Sequence, residues 1–210
     1  MPYDYLLNTF VTLFVTIDPV GLAPIFMAVT AGMTPAKRRM TALRAVIIAA
    51  VILWLFSYFG EGLLASLGIT LGAFRIAGGL LLFWIGFEMV FEQRSARKSE
   101  TADKTASDPV DHDLAAFPLA VPLMAGPGSI TAVILLSGEV PTGNWILQLV
   151  LVGIIGAILI LCLLIFLMAG VIEKILGTTG RIIMSRLLGV LLAALAVQFV
   201  VDGVRELLAA

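Results

Sequence analysis

Apolar residues in this chain gather into six long runs rather than alternating at strand spacing. Each run reaches roughly the 20 residues that a helix needs to cross a bilayer core. The runs cover residues 5–31, 41–60, 71–91, 117–138, 145–171 and 182–206. The fifth carries no charged residue between positions 145 and 172. Between the second and third, Glu61 and the glycines Gly60, Gly62, Gly68 and Gly72 predict a break, although 63–74 stays apolar enough to lie in the interface. The one long polar stretch, 92–116, mixes Arg94, Arg97, Lys98 and Lys104 with Glu92, Glu100, Asp103, Asp108, Asp111 and Asp113. It reads as a flexible linker. The pattern predicts an all-α membrane protein of six transmembrane helices: a three-helix unit over 1–91, a linker over 92–116, and a second three-helix unit over 117–210.

Composition supports lipid as the solvent. The chain is 60% hydrophobic and 13% charged, too few polar residues to coat a soluble domain of this size. A net charge of −1 points to no nucleic-acid partner. The single cysteine, Cys162, can form no intramolecular disulfide. The first ten residues hold no Lys or Arg, so the first run is expected to be a retained helix rather than a secretory leader.

Basic residues assign the sides. Lys37, Arg38, Arg39 and Arg44 follow the first run, Arg94, Arg97, Lys98 and Lys104 the third, and Lys174, Arg181 and Arg186 the fifth, leaving only Arg75 and Arg205 opposite. The positive-inside rule then puts the linker in the cytoplasm and both termini outside it, in a bacterial-type inner membrane.

The two units share a pattern. Arg75-Ile-Ala-Gly78-Gly-Leu80-Leu81 returns as Arg186-Leu-Leu-Gly189-Val-Leu191-Leu192, and Pro19 in the first run has a counterpart, Pro127, in the fourth. Three helices per unit require the second copy to insert upside down, so an inverted repeat is expected, a plan that recurs in secondary transporters.

Helix breakers supply the candidate site. Asp18, Pro19, Gly21 and Pro24 fall near the middle of the first run, and Pro122, Gly126, Pro127 and Gly128 near the middle of the fourth. An interior proline removes a donor and clashes with the preceding turn. Asp18-Pro19 is also a helix start, with Asp capping and Pro in the first turn; Gly126-Pro127, with Ser129 close by, reads similarly. Both helices are therefore expected to be broken near mid-membrane, where a half-helix N-terminus favours an anionic group such as a carboxylate. A carboxylate at that depth costs about 2.5–3.5 kcal/mol on insertion scales. Asp18 could bind a cation, hold a substrate amine, carry a proton, or only cap the half-helix. The candidate substrate-binding set is Asp18, Pro19, Gly21, Pro24, Gly126, Pro127, Gly128, Ser129 and Thr131.

Other polar residues read as structural. Thr9, Thr12 and Thr16 share a face suited to helix packing. Arg75 and Arg186 can snorkel. Glu88, Gln198 and Asp202 lie toward run ends and read as interfacial. Gly78, Gly79, Gly153 and Gly156 fit close helix packing. His112 lies among solvated charges. The sequence holds no nucleophile–base pair, metal-ligand cluster or phosphate-binding loop, so no enzyme, metal or cofactor is expected.

The segments Asp18-Pro-Val-Gly-Leu-Ala-Pro24-Ile-Phe26 and Pro122-Leu-Met-Ala-Gly126-Pro-Gly-Ser-Ile130, with Arg186-Leu-Leu-Gly and Ala-Val197-Gln-Phe199, resemble the signatures of the MarC family across nearly the whole chain. The resemblance implies a six-helix inner-membrane protein of bacteria or archaea, related to carriers of small neutral amino acids such as glycine or alanine. The expected function is secondary transport of a small solute, a neutral amino acid by preference, coupled to a proton or cation. The expected partners are that solute and membrane lipid, with self-association left open. Two alternatives remain: an ion or metal exporter built on Asp18 and freed carbonyls, and a non-transporting scaffold whose helix breaks are filled by side chains with no cavity.

Overall fold

A computed structural model describes residues 2–106, 114–141 and 143–209. The reading of His112, Asp108, Asp111 and Asp113 as solvated linker residues lies outside them. The chain is all-helical over the described residues: α1 Pro2–Ile17, α2 Pro19–Val29, α3 Pro35–Ser66, α4 Leu71–Val90, α5 Gln93–Ala106, an irregular wide-turned segment Ala115–Met124, α6 Pro127–Ser137, α7 Trp145–Leu167 and α8 Ala169–Ala209. Among the described residues, five spans are long and apolar enough to cross a membrane, counting α1 and α2 together, and a sixth arises if Ala115–Met124 and α6, bent by 54° to one another, form one span. Large apolar side chains such as Leu55, Phe59, Phe83, Ile160, Leu164, Leu187 and Leu191 are exposed along the long helices, as a lipid-facing surface requires.

Helix starts follow capping chemistry. Thr34, Thr70 and Asn144 accept from Lys37, Ala73 and Leu147 N–H groups at the heads of α3, α4 and α7. The break between α3 and α4 falls at Gly68 (φ 72°), one of the glycines expected to interrupt the run, while Gly60, Glu61 and Gly62 stay in α3. Gly60 stays helical and lets α3 approach α6: a Cβ there would lie 2.6 Å from Ile134 Cγ1. The last span differs more from expectation. Residues 172–181, read as a turn, are helical, and the chain changes direction at Gly177 (φ 58°) within α8. The expected flexible linker is in part a helix, since α5 fills 93–106. Glu92, in the left-handed region (φ 63°), turns the chain from α4 into it.

The frame is a seam between α4 and α8. Gly72, Gly79 and Gly86 recur every seven residues, two helical turns, and so form one stripe. They meet Gly203, Ala196 and Gly189 in reverse order, which makes the helices antiparallel. A Cβ on Gly86 would lie 2.8 Å from the Gly189 carbonyl oxygen, and one on Gly79 2.8 Å from that of Ala196. Small residues at such a seam let backbones touch where lipid offers no hydrophobic drive. Ion pairs close both ends, Arg75 with Glu206 and Arg186 with Glu92. Arg75 therefore does more than snorkel.

Gly86→Leu is expected to force the seam apart at a cost of about 1–3 kcal/mol, read as a lower melting temperature in detergent. Gly153→Leu, where an added Cβ would meet nothing within 4 Å, should leave the melt unchanged. Equal melts for the two variants would show that the seam is not close-packed.

Candidate functional site

The first break is one residue wide. Asp18 sits in the left-handed region (φ 59°, ψ 64°), which Asp tolerates better than most residues, and the hydrogen-bond ladder resumes on either side of it. Its Oδ1 accepts from the Gly21 N–H at 3.0 Å. Gly21 is required there: a Cβ would lie 2.2 Å from Asp18 Oδ2. Pro19 is buried as the first residue of α2.

Ending α1 at Ile17 leaves carbonyls of its last turn without helical partners. They are met by α5. Arg94 donates to the carbonyls of Val15 (3.4 Å) and Thr16, and Lys98 Nζ donates to that of Ile17 (3.5 Å) and to Asp18 Oδ2 (3.4 Å). Arg94 and Lys98 stand four residues apart, on one face of α5, and are both buried. Two cations at a helix C-terminus also oppose its partial negative charge. Arg97 pairs with Glu88 at 2.8 Å, and Trp84 Nε1 donates to the same carboxylate at 3.1 Å. Glu88 is thus a buried partner of α5 and not an interfacial residue.

The second break is more open. Backbone angles leave the helical range at Phe117 and Val121, and α6 begins at Gly126 with no side-chain cap. Its first ladder bond runs from Ile130 N–H to the Gly126 carbonyl. Gly126 is forced by closeness, since a Cβ would lie 2.2 Å from the Pro122 carbonyl oxygen.

Both breaks border one cavity of about 260 Å³, walled by Thr16 of α1, Leu81, Trp84 and Ile85 of α4, Arg94, Arg97 and Lys98 of α5, and Pro122, Leu123, Gly126, Pro127, Gly128 and Ser129. Of the residues the sequence singled out, Gly126, Pro127, Gly128 and Ser129 form a wall. Asp18, Pro19 and Gly21 do not line it; Asp18 lies behind Lys98. Pro24 faces a separate small space beside Ile172, Leu176 and Gly177. Thr131 is buried against Gly78 of α4, where a Cβ would meet its methyl at 2.7 Å. Thr16 donates back to the Thr12 carbonyl at 2.7 Å, in keeping with a packing role. Sequence reasoning missed the three α5 cations. Their only signal was the i, i+4 spacing of Arg94 and Lys98.

This architecture defines a polytopic helical membrane protein with a charged cavity at two interrupted spans. The family model for "MarC family integral membrane protein" matches residues 3–208, and the chain belongs to that family. It is 37% identical to UPF0056 membrane protein MJ1677 of Methanocaldococcus jannaschii over 98% of both chains. It is 34% identical to UPF0056 membrane protein YhcE of Escherichia coli over 93% of this chain and 90% of the relative, and 32% identical to UPF0056 membrane protein YvbG of Bacillus subtilis over 98% and 96%. No solved structure matches it. The protein is an integral, multi-pass membrane protein.

Burial, reinforced by Arg94, pushes the Lys98 amine down from 10.5 to about 8, against the pull of the Asp18 carboxylate; Cys162 faces it from α7. Between these values the unfolded chain holds a proton that the folded chain has released, so this group makes stability rise with pH over that window. Melting temperature measured from pH 7.5 to 9.5 should carry this rise in the wild type and lose it in Lys98→Met. Identical pH slopes would place Lys98 in water.

Proposed function

We propose that the protein is a secondary transporter of a small solute, working without bond-making chemistry. The supporting observation is the cavity where an uncapped half-helix N-terminus meets the break in another span. Irregular backbone inside a membrane protein is tolerated where it faces protein or a polar cavity, and discontinuous helices around a central site are a recurring transporter device. The antiparallel α4–α8 seam, with an arginine-to-glutamate pair at each end, supports reading the two halves as inverted repeats. The Lys/Arg bias supports an inner-membrane placement with α5 cytoplasmic and both termini outside.

The alternatives fare less well. A cation exporter would need Asp18 and the α1 carbonyls, which Arg94 and Lys98 occupy. A scaffold predicts filled breaks; the first is filled, yet the cavity remains at the second. A neutral amino acid, the finer reading drawn from the family resemblance, needs one group for its carboxylate and another for its ammonium. The α6 terminus supports the first. Asp18, expected to serve the second, is engaged by Lys98 and the Gly21 N–H.

Counterflow of small solutes (alanine, glycine, lactate and acetate) into proteoliposomes tests the reading. Protein-loaded vesicles should exceed empty ones for at least one solute. Arg94→Gln removes a cation from the cavity wall and is expected to lower that flux roughly tenfold, the equivalent of one lost charge-assisted contact. Fluxes equal to empty vesicles for every solute would sink the transporter reading.

A further inference from the structure

The cavity is lopsided in charge. Among the described residues in its walls, Arg94, Arg97 and Lys98 are cationic and none is a carboxylate. The two nearby acids are committed: Asp18 to Lys98 and the Gly21 N–H, Glu88 to Arg97 and the Trp84 indole. Arg94, only 6% exposed, has neutral acceptors among the described residues: the Val15 and Thr16 carbonyls and Met89 Sδ. Asp18 and Glu88 act on its charge only from a distance, since both are bonded elsewhere, and the guanidinium borders an open space.

The opposite wall has the same sign. Four helices, α2, α3, α4 and α7, start under a side-chain cap, whereas α6 starts bare at Gly126 with Gly128 and Ser129 in the cavity wall. Its first-turn N–H groups and partial positive charge therefore add to those of the three cations. The remaining walls, Leu81, Trp84, Ile85 and Leu123, are mainly apolar and suit a short carbon skeleton.

We propose that the cargo of this cavity is a small organic anion, recognised through a carboxylate-sized group held between the head of α6 and the face of α5, with no requirement for an ammonium group. The inference rests on the transporter reading for the word cargo, but the anion site itself is testable without transport. The carboxylate supplies the direct anionic contact that Arg94 lacks, and the apolar wall of α4 covers the rest of the solute.

Four probes share one three-carbon skeleton: lactate (anion), alanine (zwitterion), lactamide (neutral) and alaninamide (cation). Equilibrium binding to the purified full-length protein in detergent is measured by calorimetry, beside counterflow in proteoliposomes. Lactate is expected to bind at least about tenfold more tightly than lactamide, the worth of one charge-assisted contact, with alaninamide weakest and alanine no tighter than lactate. Arg97→Gln combined with Glu88→Gln, so that no buried carboxylate is left unpartnered, should weaken lactate binding more than it shifts the melt, whereas Glu88→Gln alone should not weaken lactate binding. Tightest binding of alanine, or of either amide, overturns the proposal, as does an absence of binding by all four. Displacement of lactate by a short-chain anionic phospholipid at lower concentration than lactate itself would assign the cavity to lipid and also overturn it. Flux of alanine without lactate would leave the transporter standing and remove the anion. Lactate binding without flux would keep the anion site and remove the transporter.

Discussion

Main-chain carbonyls at the end of α1 are the constraint around which this molecule is organised. In a low-dielectric interior an unpaired backbone acceptor is expensive, and breaking the first span at Asp18 leaves several of them together. Arg94 and Lys98 meet them from α5. That contact ties a polar helix to two apolar ones, gives Asp18 its partner, and sets one wall of the cavity. Without it the break would be a defect; with it, the break anchors a cationic face inside the protein.

The rest of the fold holds that contact in place. The α4–α8 seam fixes α4 by backbone-to-backbone approach, and α4 in turn presents Glu88, held by the Trp84 indole, to Arg97. On the other side, the Ser57 carbonyl accepts from Ser137 at 2.6 Å and from Gln148 at 2.9 Å, binding α3, α6 and α7 together. The α6 terminus is thereby held opposite α5. Its missing cap is the feature that lets a wall of structure also serve as a wall of a site.

The spans and both breaks were legible because each rests on local chemistry. A long apolar run must sit in lipid, proline cannot continue a helix, and Asp before Pro caps a new one; α2 and α6 accordingly start at Pro19 and Pro127. Asp18 as a cap was equally local, since its acceptor lies three residues on. The α5 cations were not legible. A polar segment with charges four apart is what any solvated helix looks like, and nothing within 92–116 reveals that carbonyls some 80 residues earlier lack partners. Pro24 and Thr131 lie away from this cavity for a related reason: proximity to a break along the chain does not say which way a helix face turns once it is packed.

By itself, the amino-acid order determined where the chain enters lipid, where its helices stop, and which residues restart them, because those outcomes depend on neighbours within a turn or two. Only the tertiary structure decided which groups face one another across the breaks. Charge balance in a buried cavity is a sum over α1, α4, α5 and α6, and that sum exists only once the four are packed together.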